Sequence, residues 1–179
     1  MSYTFQKSSN SFKAVIILIA ASVCYIFSSS FNCAFADAFK IGNIEITNVW
    51  ARATPNGAKV AGGFFTIVNH GKEADRLVSL SSELSDKAQI HSMEMADGVM
   101  KMRHQADGVV IPAGGTVEFK PGSFHVMFMD LDKTLNKGDE FKAKMVFEKA
   151  GTVDVVFTVS GIGAQAPDSM HANHEEHQH

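Results

Sequence analysis

"QIHSMEMADGVMKMRH", residues 89–104, places two histidines and four methionines around a single Asp-Gly pair. Asp-Gly between runs of alternating side chains is the strongest short-range signal for a two-residue β-hairpin turn. With Asp97 and Gly98 at the turn, the strands pair so that partner numbers sum to 195. Ala96 then faces Val99, Met95 faces Met100, Glu94 faces Lys101, Met93 faces Met102, Ser92 faces Arg103 and His91 faces His104. Side chains alternate along a strand, so one face of this ribbon carries His91, Met93, Met95, Met100, Met102 and His104, and the other Ser92, Glu94, Lys101 and Arg103. His91 and Met102 become diagonal neighbours, a separation that long side chains can close.

Two readings of the methionine stripe stand at this point. Met93, Met95 and Met100 fit ordinary core packing, with Glu94 and Lys101 solvated on the far side. Histidine at both ends of the same face fits a metal site better. A second segment, "SFHVMFMD" at 123–130, alternates in the same way. Phe124, Val126 and Phe128 form its core face, and His125 and Met127 lie two residues apart on the other, the spacing by which a strand offers two ligands to one ion. Pro121-Gly122 places the pair just after a turn, where binding residues on rigid β scaffolds tend to sit.

The rest of the chain supplies the scaffold for these segments. Short β-branched and aromatic runs predict strands at 44–53, 61–69, 76–80, 88–95, 99–104, 116–119, 125–129, 140–147 and 152–160, with Gly- and Pro-containing turns between them. This spacing indicates an all-β antiparallel sandwich or small barrel. Trp50 reads as core, Arg52 has no assigned role, Asp75 and Arg76 read as a local ion pair, and His70 reads as a solvated loop residue.

The ends of the chain read differently. Lys7 and Lys13, an uncharged run from Ala14 to Phe31 and Ala34-Phe35-Ala36 follow the order of a secretory signal peptide, with cleavage expected after Ala36. Neither Cys24 nor Cys33 sits in a lipobox context, and both leave with residues 1–36. The 143 residues that remain of 179 are expected to be cysteine-free, exported and periplasmic, with membrane contact only through the signal peptide. Of the 16 basic residues 14 stay, against 19 acidic ones, a formal charge of −5 that argues against a nucleic-acid partner. After the domain at 37–162, residues 163–179 lack an apolar face to bury. They read as a flexible His-rich tail, and Met170, His171, His174, His177 and His179 form a candidate secondary metal site suited to copper(II).

Two histidines and two methionines without a thiolate select a narrow class of metal. Thioether sulfur is soft and uncharged and favours copper(I) over zinc, calcium or magnesium. Zinc, blue-copper and iron–sulfur sites commonly use cysteine thiolate, which the mature chain lacks. No nucleophile elbow, HExxH motif or phosphate loop is present, so the chain does not read as an enzyme.

These residues resemble the PCu(A)C family of periplasmic copper chaperones, whose signature is a histidine, a methionine after ten intervening residues, and a later H-x-M pair. His91, Met102 and His125-Val126-Met127 follow it, with a gap from Met102 to the pair (103–124) one residue longer than the family pattern. "VWARATPNGAKVAGGFFTIVN", "IPAGGTVEFKPGSFHVMFMDL" and "LNKGDEF" look like the same family's strands and turns, and the likeness covers about residues 41–160. The resemblance implies a single-domain, cupredoxin-like Greek-key barrel that holds copper(I) through His91, Met102, His125 and Met127. It also implies delivery of copper to the CuA subunit of cytochrome c oxidase, alongside a Sco-type thiol protein, by a monomer. His- and Met-rich C-terminal extensions that take up copper(II) occur in the family. Periplasmic copper buffering without a dedicated acceptor is the alternative, and an interaction module with methionines as core is a third reading. His104 is a candidate to support the ligands from outside.

Overall fold

The computed structural model describes residues 38–85, 87–96 and 98–168. The expected signal peptide and the tail residues Met170, His171, His174, His177 and His179 lie outside them. The described residues form eleven strands: β1 Phe39–Ile41, β2 Ile44–Arg52, β3 Val60–Asn69, β4 Asp75–Ser82, β5 Lys87–Ala96, β6 Val99–His104, β7 Val109–Ile111, β8 Thr116–Phe119, β9 His125–Met129, β10 Glu140–Phe147 and β11 Gly151–Ser160.

Strand β10 shows why these segments are strands. Phe141, Ala143, Met145 and Phe147 are buried while Glu140, Lys142 and Lys144 face out, the period-2 alternation of a sheet with one covered face. The hydrogen-bonded order is β6-β5-β9-β3-β2-β11-β10-β4-β7, with β1 on β2 and β8 on β3. Four sequential pairs are hairpins (β1–β2, β2–β3, β5–β6 and β10–β11), and the other connections jump between non-neighbours, as Greek-key folds do. The named strands pair antiparallel except where β11 runs parallel to β2 over three residues, Thr158 to Ser160 against Trp50 to Arg52. That junction joins the hairpin β10–β11 to the hairpin β2–β3, so its orientation is fixed by the two units and not by a turn.

One core serves the whole sheet. Its largest elements are phenylalanines: Phe141 stacks on Phe157 at 5.0 Å, and Phe128 meets both edge-on at 5.3 and 5.4 Å. Offset and edge-to-face contacts of this kind add about 0.5–1.5 kcal/mol each to the burial itself. Phe128 belongs to β9, so the aromatic cluster anchors the strand that presents His125 and Met127 on its other face. Gly63 of β3 lies against the same rings, where a Cβ would come within 2.7 Å of Phe128 and 3.0 Å of Phe157. Trp50 forms a satellite pair with Phe64, with centroids 4.5 Å apart under the Arg52 guanidinium. Arg52 Nε also donates to the Ala164 carbonyl at 2.7 Å.

Strands β1 and β7 were not expected from the sequence. Both are three residues long, too short for alternation to stand out, although Gly42-Asn43 is a recognisable two-residue turn and Gly42 takes φ 55°. The expected ion pair of Asp75 and Arg76 does not form. The buried Asp75 carboxylate instead accepts hydrogen bonds from the backbone N–H groups of Arg76, Lys149 and Ala150 at 2.7, 2.9 and 2.9 Å, and Arg76 Nε pairs with Glu148 at 3.2 Å. The buried carboxylate is satisfied by donors from the β10–β11 turn, a long-range contact that adjacency in sequence does not reveal.

Asp75→Ala should leave these donors without their acceptor and lower stability by about 2–3 kcal/mol in urea denaturation, whereas a surface ion-pair role would predict less than about 1 kcal/mol. Gly63→Ala should cost about 1–3 kcal/mol through overpacking against Phe128 and Phe157, and an unchanged denaturation midpoint would show that the rings have room to move.

Candidate metal centre

The hairpin forms with the register read from the sequence. His91 pairs with His104, Met93 with Met102 and Met95 with Met100, and Gly98 takes φ 75° at the turn. On its other edge β5 pairs with β9, placing Gln89 opposite Met127 and His91 opposite His125. His104, His91 and His125 therefore form a row across three adjacent strands, with ring centroids 5.5 and 5.8 Å apart.

The core face of β5 carries Ile90, and that of β9 carries Val126 and Phe128, all buried. Alternation puts the histidines and methionines on the opposite, outer face. His91 and His125 are each only 9% exposed, screened by their neighbours. The packing reading of the methionine stripe fails: Met95, Met102 and Met100 are 66%, 50% and 44% exposed, and all of β6 is open to solvent. On the far face Glu94 is paired with Arg103 at 3.1 Å, and the Ser92 hydroxyl accepts from Gln105 Nε2 at 2.9 Å.

The contacts around His91 define the chemistry. Its Nδ1 lies 3.0 Å from Met102 Sδ and 3.1 Å from Met127 Sδ, and its Nε2 lies 3.0 Å from Gln89 Oε1. A carbonyl oxygen only accepts, so Nε2 carries the proton and the Nδ1 lone pair is turned toward two sulfur lone pairs. Three neutral acceptors converge, an arrangement suited to a soft cation between them. His125 is fixed similarly: Nδ1–H donates to the Ser123 carbonyl at 3.0 Å and leaves Nε2 as its lone pair. Metal-binding histidines are commonly held by such a hydrogen bond on the other ring nitrogen. The structure thus brings His91, Met102 and Met127 into contact and sets His125 directly across from His91. Among the described residues no three His, Cys, Asp or Glu side chains converge as a metal site, so the thioethers are needed to complete a donor set. That composition fits copper(I) and not zinc or calcium.

Gln89 and the Ser123 carbonyl were missed by sequence reasoning. Gln89 had a signal, since it lies two residues before His91 and therefore on its face. His70 stands apart, exposed, with Nε2 2.7 Å from the Glu45 carboxylate, whose pKa it lowers together with Lys40. A groove of about 570 Å³ beside His70, lined also by Asn69, Glu73, Asp75 and Lys149, lacks any thioether and is remote from the soft cluster in the strand order.

The His91 imidazole titrates below the ordinary value, first because burial disfavours the cation and then because His125 and His104 lie close by. A depressed histidine is protonated more readily in the unfolded chain. Its contribution to stability is therefore full above the ordinary imidazole value and is lost as pH falls toward the folded one. Ring NMR across pH should find His91 protonating below the ordinary imidazole range, and His104→Gln should raise the His91 midpoint. A His91 midpoint at the ordinary value would contradict both the burial and the histidine row.

The chain is similar to several known proteins. A family model described as lipoprotein LpqE-like matches residues 44–159. Protein RP573 of Rickettsia prowazekii (strain Madrid E) is 34% identical over 108 residues, 59% of this chain, and the match spans 60% of the relative's length. Among solved structures, the apo PCuAC domain of PmoF2 is 26% identical with a TM-score of 0.61, covering 73% of this chain and 99% of that one. The copper-bound PCuAC domain of PmoF2 is 27% identical with a TM-score of 0.60, covering 70% and 98%. The resemblance to PCu(A)C proteins and the cupredoxin-like all-β fold expected from the sequence are both borne out.

Proposed function

Since the chain belongs to the lipoprotein LpqE-like family and is similar to a copper-bound PCuAC domain, we propose that it is an exported, envelope-associated copper chaperone and not an enzyme. It takes up copper(I) at His91, Met102, His125 and Met127 and passes it to the CuA subunit of cytochrome c oxidase. The carrying observation is the His91 Nδ1 lone pair held 3.0 and 3.1 Å from two thioether sulfurs, with its tautomer set by Gln89. The lipoprotein description of the family supports export to the envelope, and a periplasmic location is the expected site of action.

The geometry favours transfer over storage. His91, His125 and Met127 stand on paired inner strands, whereas Met102 is half exposed on the edge strand β6. An incoming acceptor ligand meets Met102 first. A thioether is a weaker base than imidazole, and Met102 is the thioether that solvent and an incoming ligand reach on the sheet edge, so it is the donor most easily displaced. The ion then remains on the three inner donors until further acceptor ligands arrive, and no free copper need form. Uptake requires neutral imidazoles, so protons compete with the metal, and the lowered His91 pKa extends capture to more acidic conditions than an ordinary histidine would allow. The His-rich tail at 163–179 would gather copper(II) nearby, its handover as copper(I) would require a reductant, and a Sco-type thiol protein would act alongside in delivery.

The test is anaerobic copper(I) titration of the mature chain against a chromophoric chelator, beside a Met102→Leu/Met127→Leu variant with the same tail. Removal of two direct ligands should weaken binding by more than about 100-fold, since even supporting residues around a metal cost about 10- to 100-fold. Equal affinity in both proteins would refute the site. Mixing the copper-loaded chain with an apo CuA domain then separates delivery from buffering: transfer without appearance of free copper supports the chaperone, and retention supports buffering.

A further inference from the structure

The site just described uses one of the four hairpin methionines and leaves Met93, Met95 and Met100 without a role. Packing does not explain them, because Met95 and Met100 are largely in solvent and Met93 is only half buried. Long apolar side chains on an exposed edge hairpin are an aggregation liability that proteins usually blunt with charge. Here the outer face of the hairpin carries no charged residue by register, since Glu94, Lys101 and Arg103 all project from the other side. A two-residue turn makes Ala96 and Val99 a hydrogen-bonded pair, so the alternate pairs Met95/Met100, Met93/Met102 and His91/His104 are all non-hydrogen-bonded. In such pairs side chains approach most closely, with Cβ atoms roughly 4.5–5.5 Å apart. Each methionine adds three rotatable bonds ending in a soft donor.

We infer that Met93, Met95 and Met100 form a second site for a soft monovalent cation, copper(I) or silver(I), at the tip of the β5–β6 hairpin. Three thioethers suffice for such an ion, and no fixed positive charge on that face repels it. Met93 lies directly across from Met102, so the two sites are neighbours on one ladder and an ion at the tip is one cross-strand step from a ligand of the inner site. The tip site is open to solvent and built of neutral donors without histidine. It is therefore weaker than the inner site, and its occupancy does not change with pH through the histidine range. It does not depend on copper delivery being the role of the inner site.

Silver(I), which is soft and redox-inert, is the probe. The mature full-length chain, labelled with carbon-13 at the methionine methyls, would be titrated while each methyl is followed by NMR, with assignments from single Met→Leu variants. The expected result is a first equivalent that moves Met102 and Met127 and a later one that moves Met93, Met95 and Met100 together. Met93→Leu/Met95→Leu/Met100→Leu should bind one equivalent fewer while keeping the first. Movement of Met93, Met95 and Met100 without movement of Met102 and Met127 would support the tip site and overturn the inner one. If the three methyls stay unmoved at several equivalents, or if the triple variant binds as many equivalents as wild type, the tip site is overturned whatever the inner site does.

Discussion

The pairing of His91 opposite His125 across β5 and β9 is the constraint on which the rest of the site depends. It is set not by the histidines but by what lies beneath them: Ile90, Val126 and Phe128, all buried, with Phe128 packed edge-on against Phe141 and Phe157. A slip of one residue would turn imidazoles into the core and expose aromatic rings, because successive side chains point to opposite faces. Burying those apolar groups is worth about 1.5–3 kcal/mol each. The register that places the donors is thus enforced by residues on the opposite face of the sheet.

On that rigid base the donor set is divided between two environments. His91 and His125 are screened and have their tautomers set by Gln89 and the Ser123 carbonyl, so their lone pairs are prepared before any ion arrives. Met102 comes from a strand whose every residue is exposed. The first part supplies geometry and the second supplies an exit. Burial that holds the His91 pKa down keeps its imidazole neutral, the state that can act as a ligand, and a donor set of imidazoles and thioethers leaves softness as the basis of selection.

Most of the site was legible because it is local. The Asp97-Gly98 dipeptide determines the β5–β6 register, and a period of two then assigns every side chain of the hairpin to a face without reference to the rest of the molecule. The same alternation in 123–130 separates Phe124, Val126 and Phe128 from His125 and Met127. What was not legible depends on distant partners. Alternation shows that two faces differ but not which is covered, so Met95 and Met100 read equally well as core. Asp75 reads as a neighbour of Arg76 until the turn between β10 and β11 is seen to bring Lys149 and Ala150 to it. Strands β1 and β7 are held by their neighbours and not by their own three residues.

The sequence by itself determined the strand-rich class, the hairpin, the soft and cysteine-free donors and their assignment to faces, because all of these follow from residue type and spacing within a few positions. Tertiary structure alone decided that β9 lies beside β5 and that their outer faces are the open ones. Every strand offers the same backbone hydrogen-bonding edge, so nothing local says which strand it will adjoin. The choice is made by the shared core, where Phe128 packs edge-on against the stacked Phe141 and Phe157, and that choice brings Met127 to His91.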